Sequence, residues 1–421
     1  MSSGTSSDTD VPAAGSTGLD LGSRMVIILG GALASLAMVS ISSVLPAMDT
    51  TLSRGPGDSL LIKQLIGGVG LAMMIGSLLT GFLLDRVPLR RLLFTAALVY
   101  VVTGTAGLYL TDLRAILASR MILGFAAAVI QITALTLVNT RLAGAARAHW
   151  MGLHISAAMI CTIAVQPIAG FIGDYGWRWP FALHALALLI LPAVLTIRSG
   201  GISRPAPGRR AENAPDRKTF WATFPLHYLP LAILIGSIVF IPAIYAPFLL
   251  REKGLANPSS IALVLTADSI AGALVASQYG RARQYLTRHG AFAVSFAIAA
   301  AGTLVAALSP GAIGVIVGML IYGFGVGWFV PNLMTAIGEK LGAERQAHAV
   351  GLVKAAHFTS AGIAVAIMEP ISRLYGPQAT LLVMCAVSTT LLCTIVLRSL
   401  AGNALRTPGA PQASDLARQR A

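Results

Sequence analysis

Ala148-His149-Trp150-Met151-Gly152-Leu153 and, 199 residues later, Ala347-His348-Ala349-Val350-Gly351-Leu352 are near copies of one another. Each stands where a basic, polar loop gives way to an apolar helix. A second echo follows each: Gln166-Pro167-Ile168 in the first half, Glu369-Pro370-Ile371 in the second. The chain reads as one membrane module written twice, and paired membrane halves commonly enclose a site at their interface.

Composition places the chain in the bilayer. Of 421 residues 56% are hydrophobic and 11% charged, and the mean hydropathy is +0.77; soluble domains carry about 25% charge. The apolar residues fall into twelve runs of about 18 to 27 residues, each long enough to cross a hydrocarbon layer of about 30 Å as a helix. They do not alternate polar with apolar, which excludes a barrel. Six runs occupy residues 25–197 and six occupy 224–397. Between them residues 198–223, with Pro205, Pro207, Arg209, Arg210, Pro215, Arg217 and Lys218, lack the hydrophobicity to insert and read as a cytoplasmic linker. Residues 1–24 read as a disordered cytoplasmic tail with no cleavable signal, and 398–421 as a second tail. Cys161, Cys385 and Cys393 all lie in apolar runs, so a disulfide framework is not expected.

The formal charge of +14 follows topology rather than nucleic acid. With both termini inside, 21 of the 30 Lys and Arg fall on cytoplasmic loops and tails, 7 on or beside the outer face and 2 within helices. That is the positive-inside distribution, and the basic surface meets anionic headgroups of the bilayer.

The loop after the second run is Gly81-Phe82-Leu83-Leu84-Asp85-Arg86-Val87-Pro88-Leu89-Arg90-Arg91. It resembles the cytoplasmic signature of the major facilitator superfamily in Gly81, Leu83, Asp85, Arg86 and Arg90, with Pro88 at the usual turn glycine and Arg91 adding a second basic residue. The resemblance implies a gating role: the acidic group at a helix end faces the positive N-terminus of a helix in the other half, helix 11, and latches the cytoplasmic side shut. Arg120 and Gly124 match the family's second motif, which implies proton coupling or cavity electrostatics for Arg120. An arginine at that depth needs a partner or a path to water. Gln166-Pro167-Ile168-Ala169-Gly170-Phe171 resembles the antiporter motif in Pro167 and Gly170, departing at Gln166 and Phe171. Gly176-Trp177-Arg178-Trp179-Pro180-Phe181 resembles a segment of drug-efflux members. Proline and small residues suit a hinge between halves at Gln166, Pro167 and Gly170.

Asp268 in the eighth run, and Lys354 and His357 at i and i+3 in the eleventh, are ionisable groups at depths where function is the default reading. Asp268 is the leading proton carrier, with Lys354 its competing charge or a substrate counter-ion. Glu369 reads as interfacial and as an alternative proton site. The first run has no acidic residue between Met25 and Met48, unlike the cation exporters it resembles. Tyr245, with Pro242 and Pro247, and Tyr322, Trp328, Phe329 and Asn332 are expected to face the cavity, or to serve as packing. Gly323, Gly325 and Gly327 permit close helix approach. His149 and His348 sit in different halves without a carboxylate or cysteine cluster, so packing at helix ends is expected rather than a metal.

The expectation is an all-α integral membrane protein: the major facilitator fold, twelve transmembrane helices in two six-helix bundles around a central cavity. The resemblance implies a monomeric secondary transporter in a bacterial inner membrane, needing no cofactor and neither enzyme nor nucleic-acid binder. Its partners are protons and a small molecule. Proton-coupled efflux of an amphipathic compound is the first reading, and proton-driven uptake of an organic anion the second. No soluble domain or hydrolase motif supports an enzyme, and a non-transporting sensor stands last.

Overall fold

The computed structural model describes residues 19–55, 57–197, 224, 226–338 and 343–404. Twelve of its helices are long and apolar enough to span a membrane. In the first half they are α1 (Leu21–Leu52), α2 (Asp58–Arg86), α3 (Leu89–Leu108), α4 (Leu113–Arg141), α5 (Gly144–Gly173) and α6 (Trp179–Thr196). In the second they are α7 (Tyr228–Glu252), α8 (Pro258–Ser277), α9 (Arg288–Leu308), α10 (Ala312–Ile337), α11 (Gly351–Tyr375) and α12 (Pro377–Ala401). No strand occurs among the described residues. The expected linker at 198–223 lies outside them.

Helix pairing repeats itself with a shift of six. In the first bundle α2 packs on α4, α3 on α4 and α6, and α1 on α5 and α6; in the second α8 packs on α10, α9 on α10 and α12, and α7 on α11 and α12. The halves meet along two seams that the same shift interchanges, α2 with α11 and α8 with α5. The duplication read from the sequence is therefore an approximate two-fold relation between bundles.

Two local features depart from the expected runs. The first helix begins at Leu21, within the segment expected as tail, because Asp20 holds its start: Oδ1 accepts from Ser23 at 2.5 Å and from Arg141 at 2.8 Å. The last helix continues to Ala404, beyond residue 397. In addition, α1 is broken. Its helical part ends at Val39, a 3-10 turn covers Ser42–Val44, and helix resumes at Leu45. Ser40, Ser42 and Ser43 offer hydroxyls that compete for backbone groups, and Pro46 cannot donate to Ser42 four residues back. Pro88, with φ −54°, forms the extended link between α2 and α3, in place of a glycine turn.

The start of α1, the end of α12 and the α2–α3 and α4–α5 loops share one end of the molecule, here called proximal; the α1–α2 and α5–α6 loops share the other, called distal. Buried apolar residues form two clusters. One fills the first bundle. The other fills the second bundle and continues across the distal end into Ile41, Val44, Leu45, Met48, Ile62 and Leu65. At the proximal end the packing thins: along α5, Val165, Gln166, Ala169, Gly170 and Gly173 are buried, whereas residues 144–147 and 149–163 are exposed or half-buried apart from His154. The halves are sealed distally and splayed proximally.

Candidate functional site

The distal seal is built from glycines and polar pairs. A Cβ at Gly67 would lie 2.8 Å from the Ala361 carbonyl, and one at Gly70 2.7 Å from that of Phe358, so α2 and α11 touch backbone to backbone. Gln64 Nε2 donates to the Gly362 carbonyl at 3.0 Å. One turn away Lys63 Nζ meets Glu369 Oε2 at 2.7 Å, with side-chain exposures of 5% and 2%, so the pair is dry. Glu369 also accepts from Arg373 at 3.1 Å and from the Tyr245 hydroxyl at 3.2 Å, while Lys63 donates to Ser59 at 2.7 Å. Its ammonium lies 4.7 Å from the Phe248 ring centroid and 5.3 Å from that of Tyr245. Glu369 is thus the centre of a buried ionic network joining α2, α7 and α11, in place of the interfacial carboxylate expected. Lys63, its partner, was not anticipated; a lysine six residues into a helix reads from sequence as a snorkelling surface charge.

The second seam is neutral at its core. Gln166 Oε1 accepts from Ser269 Oγ at 3.2 Å, and Gly170 packs against Ala262, with the Pro258 carbonyl 2.8 Å from where its Cβ would be. Asp174 Oδ1 accepts from the Ser259 amide at 3.0 Å. Arg251 donates to the Pro46 carbonyl across the same end. Gln166 and Gly170, expected at a hinge between halves, lie on this seam, with Pro167 inside the α5 helix beside them.

Arg120 is fully buried inside the first bundle, away from both seams. Nε donates to the Leu65 carbonyl at 3.2 Å, one terminal nitrogen to the Ala37 carbonyl, and the other to His184 Nε2 at 3.1 Å. Ala37 is in the last turn of the α1 segment that stops at Val39, where carbonyls lack helical partners. The guanidinium caps that break, at the negative end of the helix dipole. His184 Nδ1 donates to the Phe181 carbonyl at 3.1 Å, which leaves Nε2 to accept from Arg120 and from Ser40 at 3.2 Å. The signal for this site lay in the serine run before Pro46, which marks the break.

Asp268, Lys354, His357 and His154 are four ionisable groups within the spanning helices α8, α11 and α5. Asp268 on α8 has its Oδ1 sealed from solvent and without a hydrogen-bond partner, packed where Gly323 of α10 leaves room; a Cβ there would lie 2.6 Å from that oxygen. Lys354 on α11 makes no hydrogen bond and no ion pair among the described residues. His357, one turn on, lies tilted at 47° against Phe240, with ring centroids 5.2 Å apart. The fourth group, His154 on α5, was not anticipated: it is 3% exposed, and Nδ1 donates to the Ile27 carbonyl at 2.7 Å.

The aromatic and amide residues expected in the cavity are engaged elsewhere. Tyr322 donates to the Ile238 and Val239 carbonyls at 2.8 and 3.0 Å, Phe329 packs on Phe296 at 4.8 Å, and Trp328 Nε1 donates to the Val275 carbonyl at 2.8 Å. Asn332 is buried and ties Tyr279 at 2.9 Å to the Arg288 carbonyl at 3.1 Å. With Tyr245 on the Glu369 network, where it also faces Lys63 of α2, all five have structural partners, and those of the other four lie in the second bundle. Asp85, Arg86, Arg90 and Arg91 stand exposed at the proximal mouth, Arg86 over the Phe82 ring at 3.3 Å. Space beside Gly81 is open. His149 is exposed next to Trp150, and the side chain of His348 lies outside the described residues.

Comparison with known proteins follows this architecture. The profile of the Major Facilitator Superfamily matches residues 27–366. No curated protein matches. Among solved structures, a D-xylose-proton symporter is similar with TM-score 0.75 at 15% identity, over 89% of this chain and 96% of that one. The nucleoside transporter NupG is similar with TM-score 0.72 at 13% identity, over 90% and 98%. The partially occluded inward open conformation of the xylose transporter XylE from E. coli follows with TM-score 0.68 at 15% identity, over 89% and 96%. These likenesses concern the fold.

Proposed function

The chain belongs to the Major Facilitator Superfamily, and on that premise we propose that this transporter couples a proton, carried on Asp268, to movement of a small amphipathic compound by alternating access. The observation that carries the reading is Asp268 Oδ1, sealed within the spanning helix α8 without a hydrogen bond and, among the described residues, without a counter-ion. A half-buried carboxylate with one oxygen so enclosed favours a proton or a cation to neutralise it. A group that must take up a neutralising partner in one conformer and release it in the other couples that partner to the conformational cycle. In purified protein reconstituted in liposomes, Asp268→Asn keeps the shape of the site and abolishes transport driven by an imposed pH gradient. Undiminished coupled transport by this variant refutes the assignment.

The positive-inside distribution supports a multi-pass protein of a bacterial inner membrane with both termini cytoplasmic. The proximal mouth then opens to the cytoplasm, and the conformer is inward-facing. Efflux is the preferred direction, supported by the resemblance of Gly176 to Phe181 and of Pro167 and Gly170 to efflux members. Proton-driven uptake of an organic anion is the second reading, favoured by Lys354, a cation without a partner, and by an α1 that has no acidic residue between Met25 and Met48. Acidifying the lumen of inside-out vesicles separates the two: efflux gives accumulation of the compound, uptake does not.

A further inference from the structure

His154 and His357 are 203 residues apart, the same interval as Gln166 and Glu369, so they hold one position of the repeat in α5 and α11. Their surroundings repeat as well. His154 lies on Gly31 of α1, where a Cβ would come 3.3 Å from Nδ1, and that nitrogen donates to the Ile27 carbonyl four residues earlier. His357 lies on Gly236 of α7, where a Cβ would come 3.0 Å from Nδ1, but that nitrogen makes no hydrogen bond. The interval from Gly31 to Gly236 is 205 residues. The two imidazoles are therefore a two-fold-related pair, one from each half.

An imidazole that turns one N–H to a peptide carbonyl presents its other nitrogen as an acceptor. His154 Nε2 is sealed from solvent and has no partner, whereas in half-buried His357 the nitrogen sealed and without a partner is Nδ1. Lys354, one turn from His357, is likewise without a counter-ion, and its charge acts on both rings. Buried nitrogens left bare are costly and half-buried Lys354 has no anion beside it among the described residues, so a ligand that supplies both partners recovers part of that cost. The ammonium lacks an anion; the two nitrogens lack O–H or N–H donors. The aromatic face of Phe240 beside His357 adds an apolar wall.

We propose that His154, Lys354 and His357 form the substrate site, and that it takes a small organic monoanion bearing a hydroxyl or N–H donor. The proposal gives the transport reading a substrate class and rests on it. A ligand held between α5 and α11 touches both halves, which is the differential contact that alternating access requires.

The test is equilibrium binding by calorimetry to the purified full chain, with 4-hydroxybenzoate, benzoate and 4-hydroxybenzamide at up to millimolar concentration. The expected order is hydroxy acid, then acid, then amide, with about tenfold or more between the first and last, as a charge-assisted hydrogen bond gives. Lys354→Gln removes the preference for the acid over the amide, Lys354→Arg keeps it, and His154→Gln brings the hydroxy acid down to benzoate. Equal binding of acid and amide to the wild-type protein overturns the proposal, as does Lys354→Gln that retains the charge preference, or absence of binding by all three compounds. Binding at equilibrium needs no gradient. Failure here therefore leaves the Asp268 flux result standing, and failure of the flux test leaves the charge selectivity standing.

Discussion

Glu369→Gln is expected to open the distal end. In the observed conformer Glu369 is 2% exposed and balances Lys63 at 2.7 Å across the α2·α11 seam, with Arg373 at 3.1 Å on its own helix. Removing one partner of a buried pair costs about 3–5 kcal/mol, because the other charge stays dry and unmatched. When the seam parts, Lys63 reaches water and the cost vanishes, so the penalty falls on the distal-closed conformer alone. At about 1.4 kcal/mol per tenfold, the conformational equilibrium moves by roughly two to three and a half orders of magnitude toward distal-open. Lys63→Met is the milder change, since Glu369 keeps Arg373 and the Tyr245 hydroxyl. Spin labels at Arg54 and Ala256, exposed on distal loops of opposite halves, report the separation once Cys161, Cys385 and Cys393 are replaced. The distance distribution should gain a longer population in Glu369→Gln, smaller in Lys63→Met, and both should persist at high salt because a dry pair is little screened. An unchanged distribution in Glu369→Gln, or a larger effect from Lys63→Met, refutes the argument.

Gly170→Val tests the other seam: overpacking against Ala262 and the Pro258 carbonyl costs about 1–3 kcal/mol in the distal-closed conformer only. The same labels should report a longer population, and unaltered distances would show that this contact bears no load. Arg120→Met is expected to act on stability, since two carbonyls and His184 lose their donor at about 1–3 kcal/mol for each acceptor left bare. The melting temperature should fall, and protein that survives should keep its proton coupling; normal melting with lost coupling would return Arg120 to the coupling machinery.

Run lengths and the double echo were enough to read two six-helix bundles, because hydrophobic thickness fixes span length and duplication fixes pairing. Orientation about each helix axis was not readable. Helices such as α8 and α10 are apolar nearly all round, so no polar stripe tells which face meets the cavity and which the neighbouring helix. For Tyr322, Trp328, Phe329 and Asn332 residue type leaves cavity lining and packing both open, and their polar atoms or rings are used within the second bundle. His154 was hidden by a register choice. The loop echo has an interval of 199 residues, but Gln166 with Glu369 has 203, and a slip of four keeps nearly the same helix face while pairing His357 with the wrong residue. In the second register the histidines coincide.

The two-fold relation also explains why the distal seal is unequal. The operation that exchanges the seams carries Gln166, bonded to Ser269, onto Glu369, bonded to Lys63. A neutral side-chain hydrogen bond contributes about 0.5–1.5 kcal/mol, less than the penalty for stranding either ion of the buried pair, so the α2·α11 seam governs distal opening. That seam lies on the same helix as the proposed ligand site. Glu369 follows His357 by twelve residues, about 18 Å along α11 at 1.5 Å per residue. An anion that draws Lys354 and His357 toward His154 pulls the proximal part of α11 toward α5, and a stiff helix pivoting on its Gly362 contact with α2 then moves Glu369 away from Lys63. Closing the proximal mouth and breaking the distal ion pair become two ends of one motion, with the glycine contact as fulcrum.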